Sequence, residues 1–389
     1  MKNIAQHLYI HWPFCHTKCR YCDFVAFERH DAYHDAYHRI LCKEIEAYAQ
    51  QYEKSNKQPI TTIFLGGGTP SLYPLHLFNE LFTTLKNNYN CSSLQEVTIE
   101  SNPTDITEER MEQWREHGIS RLSLGIQCLN DDVLLKLNRR QRTRDVFNAI
   151  TIAPKYFDNI SVDLILGLPG VTTSAWFDNL EQTLSWPIKH ISIYFLTIHE
   201  KTPLFFDLQQ GLTTLEDDQF IVDLYNQTVN SLEKRGFYQY EISNFAKKGY
   251  TSQHNLAYWN RKPYKGFGIS AASFDGKERT TNTNNLGQYL ASSNGSIFYV
   301  SNTYEILTQE QEFLELLMLD LRQKTGFDLQ RMVYFESTHN INQFNETVLQ
   351  LVSAGLLEIQ NNTICLTVKG MVLENEIITQ LLSCSQKTK

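Results

Sequence analysis

Three cysteines fall within eight residues, in the run Cys15-His-Thr-Lys-Cys19-Arg-Tyr-Cys22. Thiolates at spacings of four and three can wrap a tight loop around one metal centre, and cysteine thiolates are the usual ligands of iron–sulfur clusters. A [4Fe-4S] cluster has four irons, so three thiolates leave one iron open to a cofactor or substrate. Zinc is the competing reading, because His11 or His16 could complete a closed set of four ligands. The other five cysteines, Cys42, Cys91, Cys128, Cys365 and Cys384, are scattered and read as small apolar residues or incidental thiols.

Other residues with chemical potential recur at one kind of position. Gly66-Gly67-Gly68-Thr69-Pro70 follows an apolar run, and glycines there let the backbone approach a ligand closely. Glu100 ends the run Val97–Glu100, Gln127 lies just past Arg121–Gly125, and Asp163 falls within Ile160–Ile165. His30, His34 and His38 recur every four residues, which reads as the polar face of a helix rather than a second metal site. In His254-Asn-Leu-Ala-Tyr-Trp259 a histidine sits among aromatic residues. That setting suits a flat apolar ligand with a metal at its centre, and haem iron commonly takes histidine. A hydrogen-bonded structural histidine is the alternative.

These residues need a scaffold that gathers them. Leu8–His11, Thr62–Leu65, Val97–Glu100, Arg121–Gly125, Ile160–Ile165 and His190–Phe195 are short, apolar and rich in Ile, Leu and Val, as strands are. Helical patterns such as His34–Gln51, Leu75–Asn88 and Glu108–His117 lie between them, the last with Thr107 as its start signal. Strand–helix alternation predicts parallel strands with right-handed crossovers. The fold expected is α/β: a partial (β/α)6 barrel with a small C-terminal winged-helix-like α+β domain. Parallel strands send their C-terminal ends to one face, so the cysteine loop, the glycines, Glu100 and Gln127 should meet at one mouth.

Residues 1–205 are expected to form the barrel with its cluster loop, and 206–302 an extension completing the core and the substrate region. Residues 303–389 are expected to form the C-terminal domain, reading as helix Gln309–Leu321, helix Leu329–Tyr334, helix Gln343–Ala354 and a hairpin over Leu357–Ile359 and Thr363–Leu366. The formal charge of −8 across 389 residues and the lack of a basic recognition face argue against nucleic acid as a partner. No apolar run has the length of a signal peptide or membrane span, so a cytoplasmic location is expected, with peripheral membrane contact left open.

In combination, the flanked loop YIHWPFCHTKCRYCDF and the ordered motifs LGGGTPSL, TIESNP, LSLGIQ, VDLILGLPG and HNLAYW resemble the radical S-adenosylmethionine superfamily. The resemblance runs from Tyr9 to the C-terminal block. It is specifically to the branch holding oxygen-independent coproporphyrinogen III oxidases and HemW-type haem chaperones. It implies a [4Fe-4S] cluster on Cys15, Cys19 and Cys22, with the methionine end of S-adenosylmethionine chelating the open iron. Cleavage of the sulfonium then gives a 5′-deoxyadenosyl radical, chemistry the cofactor carries while the protein orients and shields it. It also implies cofactor contacts from Tyr9, Tyr21, Gly67, Gly68, Thr69, Glu100, Gln127, Arg139 and Asp163. Glu100 would accept hydrogen bonds from the ribose hydroxyls, and Arg139 could pair with the cofactor carboxylate. Gly266–Ser273 is expected near the adenosine.

Within that branch three features favour the chaperones. Oxidases carry a fourth cysteine where this chain has Phe24, and a long arm before the first strand where Tyr9 has eight residues before it. HNLAYW matches the chaperone group, with His254 as the haem candidate. Ala272 is a departure, since chaperone relatives often have histidine there. The expected cargo is haem and the expected partners are haem-accepting proteins, membrane-bound ones included, with a homodimer as a further expectation. The alternative is a radical enzyme acting on coproporphyrinogen III or another tetrapyrrole.

Overall fold

A computed structural model describes residues 5–51, 59–292, 301–336 and 339–385. Six strands follow one another in space in sequence order: β1 (His7–Trp12), β2 (Thr62–Gly67), β3 (Glu96–Ser101), β4 (Arg121–Gln127), β5 (Asn159–Leu166) and β6 (His190–Phe195). All neighbouring pairs among them are parallel. Helices such as His34–Gln50, Leu75–Asn88 and Glu108–Glu116 form the crossovers. Thr107 caps the last of these, its Oγ1 accepting from the Arg110 amide at 3.3 Å. The expected partial barrel is thus present. A seventh parallel strand, β7 (Tyr264–Phe267), pairs with the free side of β1, and antiparallel strands 272–274, 278–282 and 301–306 continue the sheet beyond it.

Strand alternation explains how a polar interior coexists with an apolar core. In β1, Leu8, Ile10 and Trp12 are buried in the main hydrophobic cluster, while His7, Tyr9 and His11 take the opposite face. Register carries this pattern across the sheet. Tyr9 is level with Phe64, Phe64 with Thr98, and Glu100 with Ser123. Ser123 is level with Ser161, and Asp163 with Ser192. Ile63, Leu65, Val97, Ile99, Leu122, Leu124, Ile160 and Val162 pack outward against the helices. The barrel is therefore apolar between sheet and helices and polar inside.

A second cluster of buried apolar side chains, including Phe313, Leu317, Phe344, Ile364 and Leu381, marks the C-terminal unit. It combines helices Gln309–Leu321 and Ile341–Ser353 with a three-stranded antiparallel sheet. This matches the winged-helix-like expectation in outline, with two differences. The segment expected as a helix from Leu329 is a 3-10 turn over Leu329–Phe335. The boundary expected at 303 moves, because strand Ser301–Ile306 pairs with Glu278–Asn282 in the large sheet. The C-terminal unit docks on the barrel extension, with the Ile242 amide donating to the Arg322 carbonyl at 2.9 Å.

Candidate functional site

A cavity of about 430 Å³ opens at the C-terminal ends of the strands. Cys15, Cys19, Cys22, Tyr21, Gly67, Gly68, Thr69, Glu100, Gln127, Arg139 and Asp163 all line it. Residues up to about 150 positions apart in sequence therefore meet where parallel-strand geometry predicts.

The cysteine loop leaves β1 and is held at several points. The Phe27 amide donates to the Pro13 carbonyl at 2.8 Å, closing the loop's base. Arg20, between two cysteines, is fixed on both backbone and side chain. Its amide donates to the Leu137 carbonyl at 3.0 Å, and its carbonyl accepts from the Leu204 amide at 2.9 Å. Its guanidinium grips Asp207, with Nε 2.9 Å from Oδ2 and Nη2 2.5 Å from Oδ1. The Asn138 amide group donates to the Lys18 carbonyl at 2.9 Å. None of the three thiols is in a disulfide. Thr69 Oγ1 donates to Cys15 Sγ at 3.2 Å, and Arg139 Nη1 reaches Cys19 Sγ at 3.5 Å. Donors aimed at sulfur suit thiolates bound to iron.

Among the described residues no three His, Cys, Asp or Glu side chains are gathered tightly enough to hold a single metal ion. A [4Fe-4S] cube makes a different demand, because each thiolate caps its own iron. The glycine turn packs closely against the base of the cysteine loop. A Cβ on Gly68 would lie 2.8 Å from the Pro13 carbonyl carbon and 3.0 Å from Cys15 Sγ. Gly67 has φ +117°, a region that favours glycine. The residues present therefore fit the cluster and its cofactor.

Two acids share the cavity wall. Burial pushes the Glu100 carboxyl up to about 8, aided by the nearby charge of Asp163 and opposed by the Gly67 amide. Asp163 is also raised by burial, while Ser192 and Ser123 hydrogen bonds oppose the shift, Ser123 Oγ donating at 3.1 Å. Gln127 sits at a register shift between β4 and β5 with φ +69°, an uncommon conformation that turns the strand end towards the cavity. Arg139 Nη2 donates to the Gly125 carbonyl at 2.5 Å, while its buried Nε has no partner among the described residues. An unpartnered buried donor of this kind fits a ligand with an acceptor group at the cavity wall.

Two expected residues and one expected segment stand apart from the lining of this cavity. Tyr9 does not line this cavity. It lines a second one, with its hydroxyl 3.0 Å from His11 Nδ1. The Gly266–Ser273 segment does not reach the first cavity either, since β7 runs beside β1 and Ala272 faces the second cavity. His254, the expected haem candidate, is buried and hydrogen-bonded at both ring nitrogens. It is 1% exposed, with Nδ1 2.7 Å from Thr62 Oγ1 and Nε2 2.9 Å from the Tyr258 hydroxyl. Burial lowers its pKa to about 3, so the ring is neutral, and both nitrogens are already engaged. The polar-face reading of His30, His34 and His38 fails at His38, which is buried with its Nδ1 2.6 Å from the Tyr73 hydroxyl. The side chain of Cys384 lies outside the described residues.

Sequence reasoning missed other lining residues. Tyr194 shares the inward face of β6 with His190 and Ser192, so strand alternation could have found it. Gln141, whose Nε2 donates to the Ile126 carbonyl at 2.7 Å, carries no local signal.

Comparison with known proteins agrees with this geometry. The family described as "Radical SAM superfamily" matches residues 9–182. The chain is 33% identical over 376 residues to "Heme chaperone HemW" of Bacillus subtilis (strain 168), covering 96% of this chain and 98% of that protein. It is 31% identical to "Radical S-adenosyl methionine domain-containing protein 1, mitochondrial" of Danio rerio, covering 96% and 86%. Its fold is similar to that of coproporphyrinogen III oxidase (HemN) from Escherichia coli, with TM-score 0.81, 22% identity and coverage of 96% and 89%. The chain belongs to the radical S-adenosylmethionine superfamily, in the branch of the HemW-type haem chaperones.

Proposed function

We propose that the protein is a haem chaperone that binds haem, a [4Fe-4S] cluster and S-adenosylmethionine and passes haem to acceptor proteins, membrane-bound ones among them. The observation that carries this reading is the likeness over 96% of the chain to a protein named as a haem chaperone. The likeness to the oxidase, at 22% identity, concerns the fold alone. The rim of the cavity supports the choice. Phe24, where the oxidases carry a fourth cysteine, is 62% exposed there.

Within this reading Cys15, Cys19 and Cys22 hold the cluster. Gly67, Gly68 and Thr69 hold the methionine end of the cofactor by backbone approach. Glu100 accepts the ribose hydroxyls, while Gln127, Arg139 and Asp163 complete the wall and Tyr21 packs behind the loop. When bound, the reduced cluster and cofactor supply radical chemistry; this chain's residues orient the ligand and exclude water. Residues from about 307 onward form a separate unit that the cluster does not need. Among the described residues no helix is long and apolar enough to cross a membrane.

Two assays on anaerobically reconstituted protein test the reading. Titration with haem should give a saturable Soret shift. Incubation with coproporphyrinogen III, S-adenosylmethionine and a reductant should give no protoporphyrinogen. Product without haem binding would replace the chaperone with the oxidase.

A further inference from the structure

The second cavity, of about 300 Å³, lies where β1, β7 and the C-terminal unit meet. Its walls are aromatic: Tyr9, Tyr258, Tyr264 and Phe274. Tyr258 and Tyr264 pack edge to face at 4.6 Å. Tyr9 stands between the two cavities, since its ring lines this one while the Glu100 carboxylate, which lines the other, acts on its hydroxyl.

Two guanidiniums sit in this aromatic setting. Arg261 and Arg279 lie over the Phe274 ring, 5.2 and 5.4 Å from its centre. Arg261 has only 10% of its side chain exposed, and its buried Nε has no hydrogen-bond partner among the described residues. Both arginines are balanced by carboxylates from one helix of the C-terminal unit, Gln309–Leu321. Arg261 Nη1 is 3.1 Å from Glu312 Oε1, and its Nη2 is 3.2 Å from Glu315 Oε2 without hydrogen-bond geometry. Arg279 pairs closely with Glu315 Oε1. Glu315 itself is 12% exposed, so a single buried carboxylate serves two guanidiniums and fits one of them poorly.

Guanidinium forks recognise carboxylates in a planar, bidentate manner, and aromatic walls favour a flat apolar body. Haem has that body and carries two carboxylates on one edge. We propose that this cavity receives the propionate edge of haem, with Arg261 and Arg279 each pairing one propionate, and that Glu315 holds their place in the haem-free protein. The assignment rests on the haem-chaperone reading and names its binding site. At about 300 Å³ the cavity takes an edge of the macrocycle, and Glu315 and Leu319 of helix Gln309–Leu321 form part of its wall. Cargo and cofactor would then lie on either side of Tyr9.

The test compares haem affinity, read from the Soret band, for cluster-loaded wild type, Arg279→Gln and Glu315→Gln. Arg279→Gln should weaken binding about ten- to hundredfold, the size of a lost charge-assisted hydrogen bond. Glu315→Gln should tighten it, because a competing carboxylate is gone. Protohaem dimethyl ester, which lacks both charges, should bind wild type weakly and lose little more in Arg279→Gln. Iron content shows that each variant is folded. Weaker binding in both variants would mean that the ion pairs only support the fold, and the assignment would fall. No change in either, with wild type still binding haem, would also overturn it and leave the chaperone reading standing. No saturable binding by wild type would overturn that reading itself.

Discussion

Glu100→Gln should stabilise the cofactor-free protein, and more so at high pH than at low. Glu100 has a carboxyl pKa of about 8 in the fold, against 4.5 for an exposed glutamate. Between those values the native state keeps a proton that the unfolded chain has lost, so stability falls as pH rises. From pH 5.5 to pH 8 that linkage amounts to about 3 kcal/mol. The carboxylate faces a cavity that water enters, which weakens the penalty, and about 2 kcal/mol is the working figure. Glutamine cannot ionise and escapes this loss. Thermal unfolding of cluster-loaded wild type and Glu100→Gln, without S-adenosylmethionine, should show the variant's advantage growing by about 2–3 °C between pH 5.5 and pH 8. An advantage of the same size at both pH values would refute the claim that burial suppresses this carboxylate. The same variant should bind S-adenosylmethionine more weakly, losing a charge-assisted acceptor for the ribose.

The remaining predictions concern the loop, the turn and the buried histidine. Anaerobic reconstitution should give about four irons per chain, and Cys15→Ala, Cys19→Ala or Cys22→Ala should abolish this while Cys42→Ala and Cys91→Ala should not. Gly68→Ala should lose iron without losing secondary structure, since its Cβ would collide with the Pro13 backbone and crowd Cys15 Sγ. Asp207→Asn should release iron to a chelator faster than wild type. Arg20→Ala should add little in the double variant, because the two residues act as one clamp on the loop. His254→Ala should cost about 1–3 kcal/mol in urea unfolding by taking the partner from the buried Tyr258 hydroxyl, while Thr62 keeps its contact with His7 Nδ1. Its haem Soret shift should still saturate, and loss of that shift in a folded variant would restore His254 as ligand.

Much of the barrel could be read from the chain because each strand is a short apolar run closed by polar or glycine residues. His190–Phe195 and Leu75–Asn88 fall where the residue pattern places them. The mouth was legible for the same reason, since residues at strand ends must converge in a parallel barrel. What was not legible depended on which side of a strand a residue faces and on distant packing. Tyr9 lies in the strand that leads into the cluster loop, yet it lines a cavity shared with Tyr264 of β7, whose pairing with β1 spans more than 250 residues. His254 looked like a ligand because a histidine among aromatics suits haem. Only the helix Gln253–Trp259, closing the barrel interior against Thr62, shows both its nitrogens occupied. The Arg261–Glu315 and Arg279–Glu315 pairs join segments with no common pattern, so composition could not reveal the second cavity.

The central claim is transfer, and the most direct measurement follows haem leaving this protein. Reconstituted protein loaded with one equivalent of haem is mixed with an excess of a haem-free acceptor, and the acceptor's own Soret spectrum is followed over time. A haem chaperone should bind haem saturably and then fill the acceptor completely, at a rate that rises with acceptor concentration because the two proteins must meet. Haem that never binds, or that leaves at a rate independent of acceptor concentration, would contradict the account.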